Sequence, residues 1–206
     1  MVKGEQVAIN FLVENFWLAM SLWMLLMVSD NLLSMLCVKM YRQGARRHHV
    51  LEDGSELNPL FQDDVANLRA LSPMFMAILA GGYFLGWIIW SHGVYAKQGA
   101  GSFEFYLGLV VLIHLPIHLR HCRTLLLFHY LRQSHGVEGR VRYSSWLTAR
   151  LYVVTLLAFV LVYLAMFAFT SRFFFLGGAI SCLLMARFQW KQTDNIPREQ
   201  ITDEHS

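Results

Sequence analysis

The chain is short of the residues that staple small folds or carry familiar covalent chemistry. It has only three cysteines, Cys37, Cys122 and Cys182, and none is spaced as a zinc knuckle or a redox pair. Each lies in or beside an apolar segment, so they read as small core residues. A glycine-rich phosphate loop, a GxSxG elbow, a CxxCH haem motif and an HExxH zinc motif are all missing. Charge is scarce as well: charged residues make up 15% of the chain and the net charge is only +3, too little for a nucleic-acid footprint. Internal repeats and low-complexity tracts are likewise lacking.

What fills the chain is apolar. Hydrophobic residues make up 56% of it, with 15 Phe and 10 Met, and a soluble domain so composed would be hard to keep in solution. Runs of roughly 20 apolar residues fall at 11–38, 72–92, 104–126, 149–170 and 173–189. The sequence therefore predicts an all-α fold: a polytopic membrane helix bundle of five crossings, forming a single domain over residues 1–190. A polar tail at 191–206 is expected to be disordered. The first run is followed by no small-residue cleavage pattern, so it is expected to stay as a membrane helix. Ser72 and Pro73 fit an N-cap and first helical position for the second crossing. Thr170, Ser171 and Arg172 leave room only for a tight hairpin between the fourth and fifth, which should pack antiparallel.

Basic residues orient the drawing. Lys39, Arg42, Arg46, Arg47 and Arg69 flank the first loop, only Lys97 the second, and Arg132, Arg140, Arg142 and Arg150 the third; Arg187, Lys191 and Arg198 end the chain. By the positive-inside rule the amino terminus is outside and the carboxyl terminus cytoplasmic. Trp87, Trp90 and Tyr95 would mark the outer surface, Tyr143, Trp146 and Trp190 the inner one. The loop at about 41–70 is then the sizeable cytoplasmic piece, in which Asn58 and Pro59 predict a short helix through Leu68 with one apolar side.

The third crossing carries the chemistry. At about 100° per residue, His114, His118, His121 and His129 stay within an arc of about 80°, and Arg132 extends the stripe. Ionisable groups at bilayer depth normally face a partner helix, a wet cavity or a functional site. Pro116 should bend the helix beside them. His114 and His118, at i and i+4, would suit a divalent metal with His121 as a third ligand, although carboxylates would have to come from Asp30, Glu52 or Glu56. The plainer alternatives are a proton relay, or histidines that simply hydrogen-bond to neighbouring helices.

Arg120 and Arg123 project away from the histidine stripe, so that helix is polar on more than one side. A buried guanidinium demands a partner, and topology nominates Asp30 and Glu56. Asp30 shares a helical face with Ser34, Cys37 and Tyr41, and it is expected near the inner interface because the first run outlasts the bilayer. Glu14 is expected to be solvated at the outer one. Small residues give a last signal: Gly82 and Gly86 form a GxxxG pair, and Gly177 and Gly178 line the fifth crossing, positions that allow close packing within the bundle or between copies.

The combination of Asp30 late in the first crossing, Glu56-Leu57-Asn58-Pro59 in the loop and the stretch from His118 to Tyr143 resembles uncharacterised bacterial inner-membrane proteins. The resemblance implies a bacterial plasma-membrane setting and no particular activity. Three functions follow as expectations. One is a channel or transporter that handles an ion, proton or small solute through a cytoplasm-facing polar cavity walled by the first and third crossings, its pathway built from Asp30, Glu56, His114, His118, His121, Arg120 and Arg123. Another is a metal-dependent enzyme acting on a lipid or isoprenoid. The third is an accessory or scaffolding subunit, with membrane lipids, further copies of itself or a membrane complex as partners and no nucleic acid.

Overall fold

The computed structural model describes residues 2–43, 49–51, 67, 72–95, 101–132, 141–143 and 145–194. Among these, five helical stretches are long and apolar enough to cross a membrane: Phe16–Arg42, Pro73–Gly93, Gly101–Leu131, Trp146–Thr170 and Phe173–Gln192. The fold is the all-α bundle of a multi-pass membrane protein, joined among the described residues by one pair of three-residue strands. Many large apolar side chains, such as Trp17, Phe84, Leu161 and Phe169, remain more than half exposed, which suits a hydrocarbon surround.

In chain order the elements are α1 (Val2–Glu14), α2 (Phe16–Arg42), β1 (His49–Leu51), α3 (Pro73–Tyr95), α4 (Gly101–Val111), α5 (His114–Arg132), β2 (Val141–Tyr143), α6 (Ser145–Thr170) and α7 (Phe173–Asp194). The first crossing thus begins at Phe16 rather than at residue 11. A separate helix α1 precedes it, broken from α2 at Asn15, whose amide donates to the Phe11 carbonyl at 2.7 Å. The cap at Ser72 is present, its Oγ accepting from Phe75 N–H at 3.1 Å. α7 runs on to Asp194, so the polar tail starts later than residue 191; residues 195–206 lie outside the described residues, as does the helix expected after Asn58.

Strands were not foreseen. β1 and β2 are three-residue segments that pair in parallel, His49 opposite Val141 and Leu51 opposite Tyr143. One sits in the α2–α3 connection and the other in the α5–α6 connection, so these two loops lie at the same end of the bundle. That agrees with the two crossings, α3 and α4–α5, that separate them.

The third crossing is two helices. Leu112 and Ile113 form a turn between α4 and α5, so the break falls just ahead of Pro116 rather than at it. The cause is still the proline. It has no N–H to offer the Leu112 carbonyl four residues back, and that oxygen is served instead by Leu115 N–H at 3.2 Å and by the Tyr163 hydroxyl at 2.9 Å.

The bundle is welded most tightly along α4 and α7. A Cβ on Gly108 would collide with the Phe174 carbonyl, and one on Gly177 with the Phe105 carbonyl, so the two backbones touch. Gly178 admits Leu112, Gly82 admits Trp23, and Gly86 admits Tyr106 and Met20. The small residues of both glycine pairs are occupied inside one chain. Around them Phe16, Trp23, Phe103, Tyr106 and Phe174 make the main apolar core, with Phe16 against Tyr83, Trp90 and Phe103 at 5.4–5.9 Å between ring centroids.

Both ends of the α6–α7 hairpin are pinned by arginines. Only Ser171 and Arg172 separate the two helices; Ser171 adopts φ 55, and Arg172 Nε meets the buried Glu104 carboxylate at 2.8 Å while its Nη2 donates to Asn10 at 2.7 Å. Glu104 also accepts from Phe174 N–H at 3.2 Å, capping α7. At the opposite end Arg150 pairs with Asp194 at 2.7 Å and lies 3.5 Å from the Trp190 ring centroid.

Candidate functional site

The polar face of α2 meets α5. Asp30, Ser34 and Cys37 recur at helical intervals, and all three turn toward His121: Asp30 Oδ1 at 2.8 Å and Ser34 Oγ at 3.2 Å from Nε2, and Cys37 Sγ at 3.9 Å from Nδ1. One turn further Tyr41 packs on Phe128, ring centroids 5.6 Å apart. The Asp30–His121 contact satisfies the distance of a hydrogen bond without its angle, so it is an ion pair when the imidazole is protonated. Asp30 stands midway along α2, about 20 Å from either helix end at about 1.5 Å per residue.

His118 is committed elsewhere. Its Nδ1 lies 2.8 Å from the His114 carbonyl, which can only accept, so the proton is on Nδ1. In the neutral ring Nε2 then accepts from Ser29 Oγ at 2.6 Å, and the hydroxyl proton is shared with the Leu26 carbonyl at 2.8 Å. His114, 3% exposed, lies edge-on to His118 at 5.9 Å between centroids, and its buried Nδ1 has no hydrogen-bond partner among the described residues. His129 is exposed.

These placements do not make a metal centre. Among the described residues no group of three His, Cys, Asp or Glu side chains is arranged to hold a metal ion. His118 has both nitrogens engaged, and His121 turns to Asp30 rather than to His114, so the shared helical face does not become a shared ligand set.

The Arg120 guanidinium lies over the Tyr152 ring of α6, 4.8 Å from the centroid, and stands near enough to Asp30 to act on it electrostatically, while the direct 2.8 Å contact to that carboxylate is made by His121. Arg123 is exposed, as are Cys122, which corrects its reading as a core residue, and Glu14; Cys37 and Cys182 are buried. Glu52 and Glu56 lie outside the described residues.

The walls of the expected cavity come from more of the bundle than the first and third crossings. A cavity of about 540 Å3 is bounded by α2, α3, α5, α6 and α7 and by the end of α4. Its polar wall comprises Asp30, Asn31, Ser34, His114, Arg120, Ser181 and Gln189, and the rest is apolar, with Trp23, Met27, Phe75, Ile78 and Leu184 prominent. The wall draws on the first turns of α3 and α6 and the last turns of α7, so the cavity occupies the half of the bundle next to the paired loops. The other half is filled by the Phe16 aromatic cluster and shut by the Glu104–Arg172 pair. Both members of that pair were overlooked, although a lone carboxylate opening the third crossing and a lone arginine in the tight hairpin fall at the same end by topology. No family model, curated protein or solved structure matches this chain.

Proposed function

We propose that this chain is a bacterial inner-membrane protein that handles an ion, proton or small solute through the cavity beside Asp30, with the amino terminus outside and the carboxyl terminus cytoplasmic. The observation that carries the reading is the Asp30–His121 pair. Asp30 belongs both to that pair and to the cavity wall, so a proton-carrying imidazole on one helix is linked through a carboxylate on another to an open space at membrane depth. Under the proposed orientation the cavity opens toward the cytoplasm and the aromatic half closes the outer side, as a one-sided vestibule requires. His114 and Arg120 would act from the wall; His118 would support His114 from behind, through its own backbone bond.

The test is flux in liposomes holding the purified chain, read with a pH-sensitive dye and with ion-selective electrodes. Wild-type protein should dissipate an imposed gradient faster than empty vesicles. Asp30→Asn and His121→Gln should each slow that dissipation at least tenfold while still inserting. Equal rates for wild type, both variants and empty vesicles would remove the proposal.

A further inference from the structure

We infer that the cavity binds an uncharged amphiphile: an oxygen-bearing head, an alcohol or a carbonyl, on a hydrocarbon tail. The inference takes its location from the functional reading above, but its argument is separate. A proton or a bare ion needs no large chamber, whereas about 540 Å3 holds about 18 water-sized volumes of about 30 Å3. That falls within the range of about 300–1,000 Å3 typical of sites for whole organic molecules.

The wall is graded in the manner such a ligand needs. Along α2 it changes from Trp23 and Met27 to Asp30, Asn31 and Ser34, over about 16 Å at about 1.5 Å per residue. Leu184 on the α7 side is 58% exposed, so the chamber is not walled off from the lipid-facing surface, and an apolar tail has a route in.

The head is argued from charge. The wall's two charged groups, Asp30 and Arg120, are opposite in sign, so it offers no net charge to an ionic head, and a phosphate or carboxylate would confront Asp30. An oxygen that accepts from an imidazole or amide N–H and, as a hydroxyl, donates to a carboxylate suits this set. His114 supplies the second sign of a ligand: it is buried in the wall with Nδ1 unpartnered among the described residues, a condition that folded proteins rarely leave unmet.

Calorimetry on the full chain in mild detergent tests this, with farnesol and a short-tailed prenyl benzoquinone as neutral probes and palmitate as the anionic one. One neutral probe should bind saturably at one per chain, at least tenfold more tightly than palmitate. Preference between the two neutral probes identifies the head as alcohol or carbonyl. Ser181→Leu and Met185→Trp, which place bulk in the chamber from α7, should each weaken that binding at least tenfold. Palmitate binding as tightly as the neutral probes would overturn the uncharged head. Unchanged binding in both filled variants, or no saturable binding at all, would overturn the site. Flux without binding would sink this inference alone, and binding without flux would sink the transport reading alone.

Discussion

A single carbonyl shows how residue-scale chemistry shapes the site. Pro116 withdraws the N–H that Leu112 O would otherwise receive, the helix breaks, and Tyr163 reaches across from α6 to serve the oxygen. Tyr163→Phe should therefore cost about 1–3 kcal/mol, the usual penalty for a poorly satisfied buried group, measured by thermal unfolding in detergent. Pro116→Ala restores the local N–H, so most of that loss should vanish in the double variant; additive losses would show that the tyrosine acts through packing alone. Helical spacing already put Asp30, Ser34 and Cys37 on one face, and that face is the one His121 meets. Which partner would arrive was not legible, because spacing fixes rotation about one axis and says nothing of the neighbour. Arg120, planar and weakly hydrated, also stacks on the Tyr152 ring, a contact that spacing along one helix does not reveal.

At the scale of elements, α4 and α7 touch backbone to backbone. Gly108→Ala and Gly177→Ala should each cost at least the about 1–3 kcal/mol of an ordinary overpacked site, because the obstacle is a carbonyl that cannot swing aside. Gly81→Ala is the control: nothing lies within 4 Å of its added Cβ, and the helix should gain about 0.5–1 kcal/mol. Equal unfolding temperatures for all three variants would contradict the close approach. The membrane helices themselves were legible from length and composition, since about 20 apolar residues admit few other uses. The turn at Leu112 and Ile113 was legible only in part. A proline predicts a disturbance, but where it settles depends on which neighbour can satisfy the freed carbonyl.

For the whole molecule, the contrast between a sealed half and a hollow half rests on Glu104 and Arg172. Removing one partner, as in Glu104→Ala, should cost about 3–5 kcal/mol by stranding the guanidinium. In Glu104→Leu with Arg172→Met most of that charge penalty should be relieved, leaving about 1 kcal/mol for the lost cap on Phe174. A double variant no more stable than Glu104→Ala would show that the pair contributes through its hydrogen bonds rather than its charges. A polar cavity between the first and third crossings was legible from their ionisable residues, but the share of α3, α6 and α7 in its wall was not, since a gap bounded by six helices is a property of their mutual placement and of no single segment.

The interruption at Leu112 and Ile113 divides the third crossing between two loyalties. α4 is clamped to α7 at the glycines, while α5 rides on α2 through His121, Cys37 and Phe128. The chamber lies along the seam between these two clamped pairs, so a pivot at the two-residue turn widens or narrows it without parting either clamp. Spin labels on Leu127 and Leu184, in a chain depleted of its native cysteines, should change their separation when a ligand enters, while labels on Phe105 and Phe173 stay still.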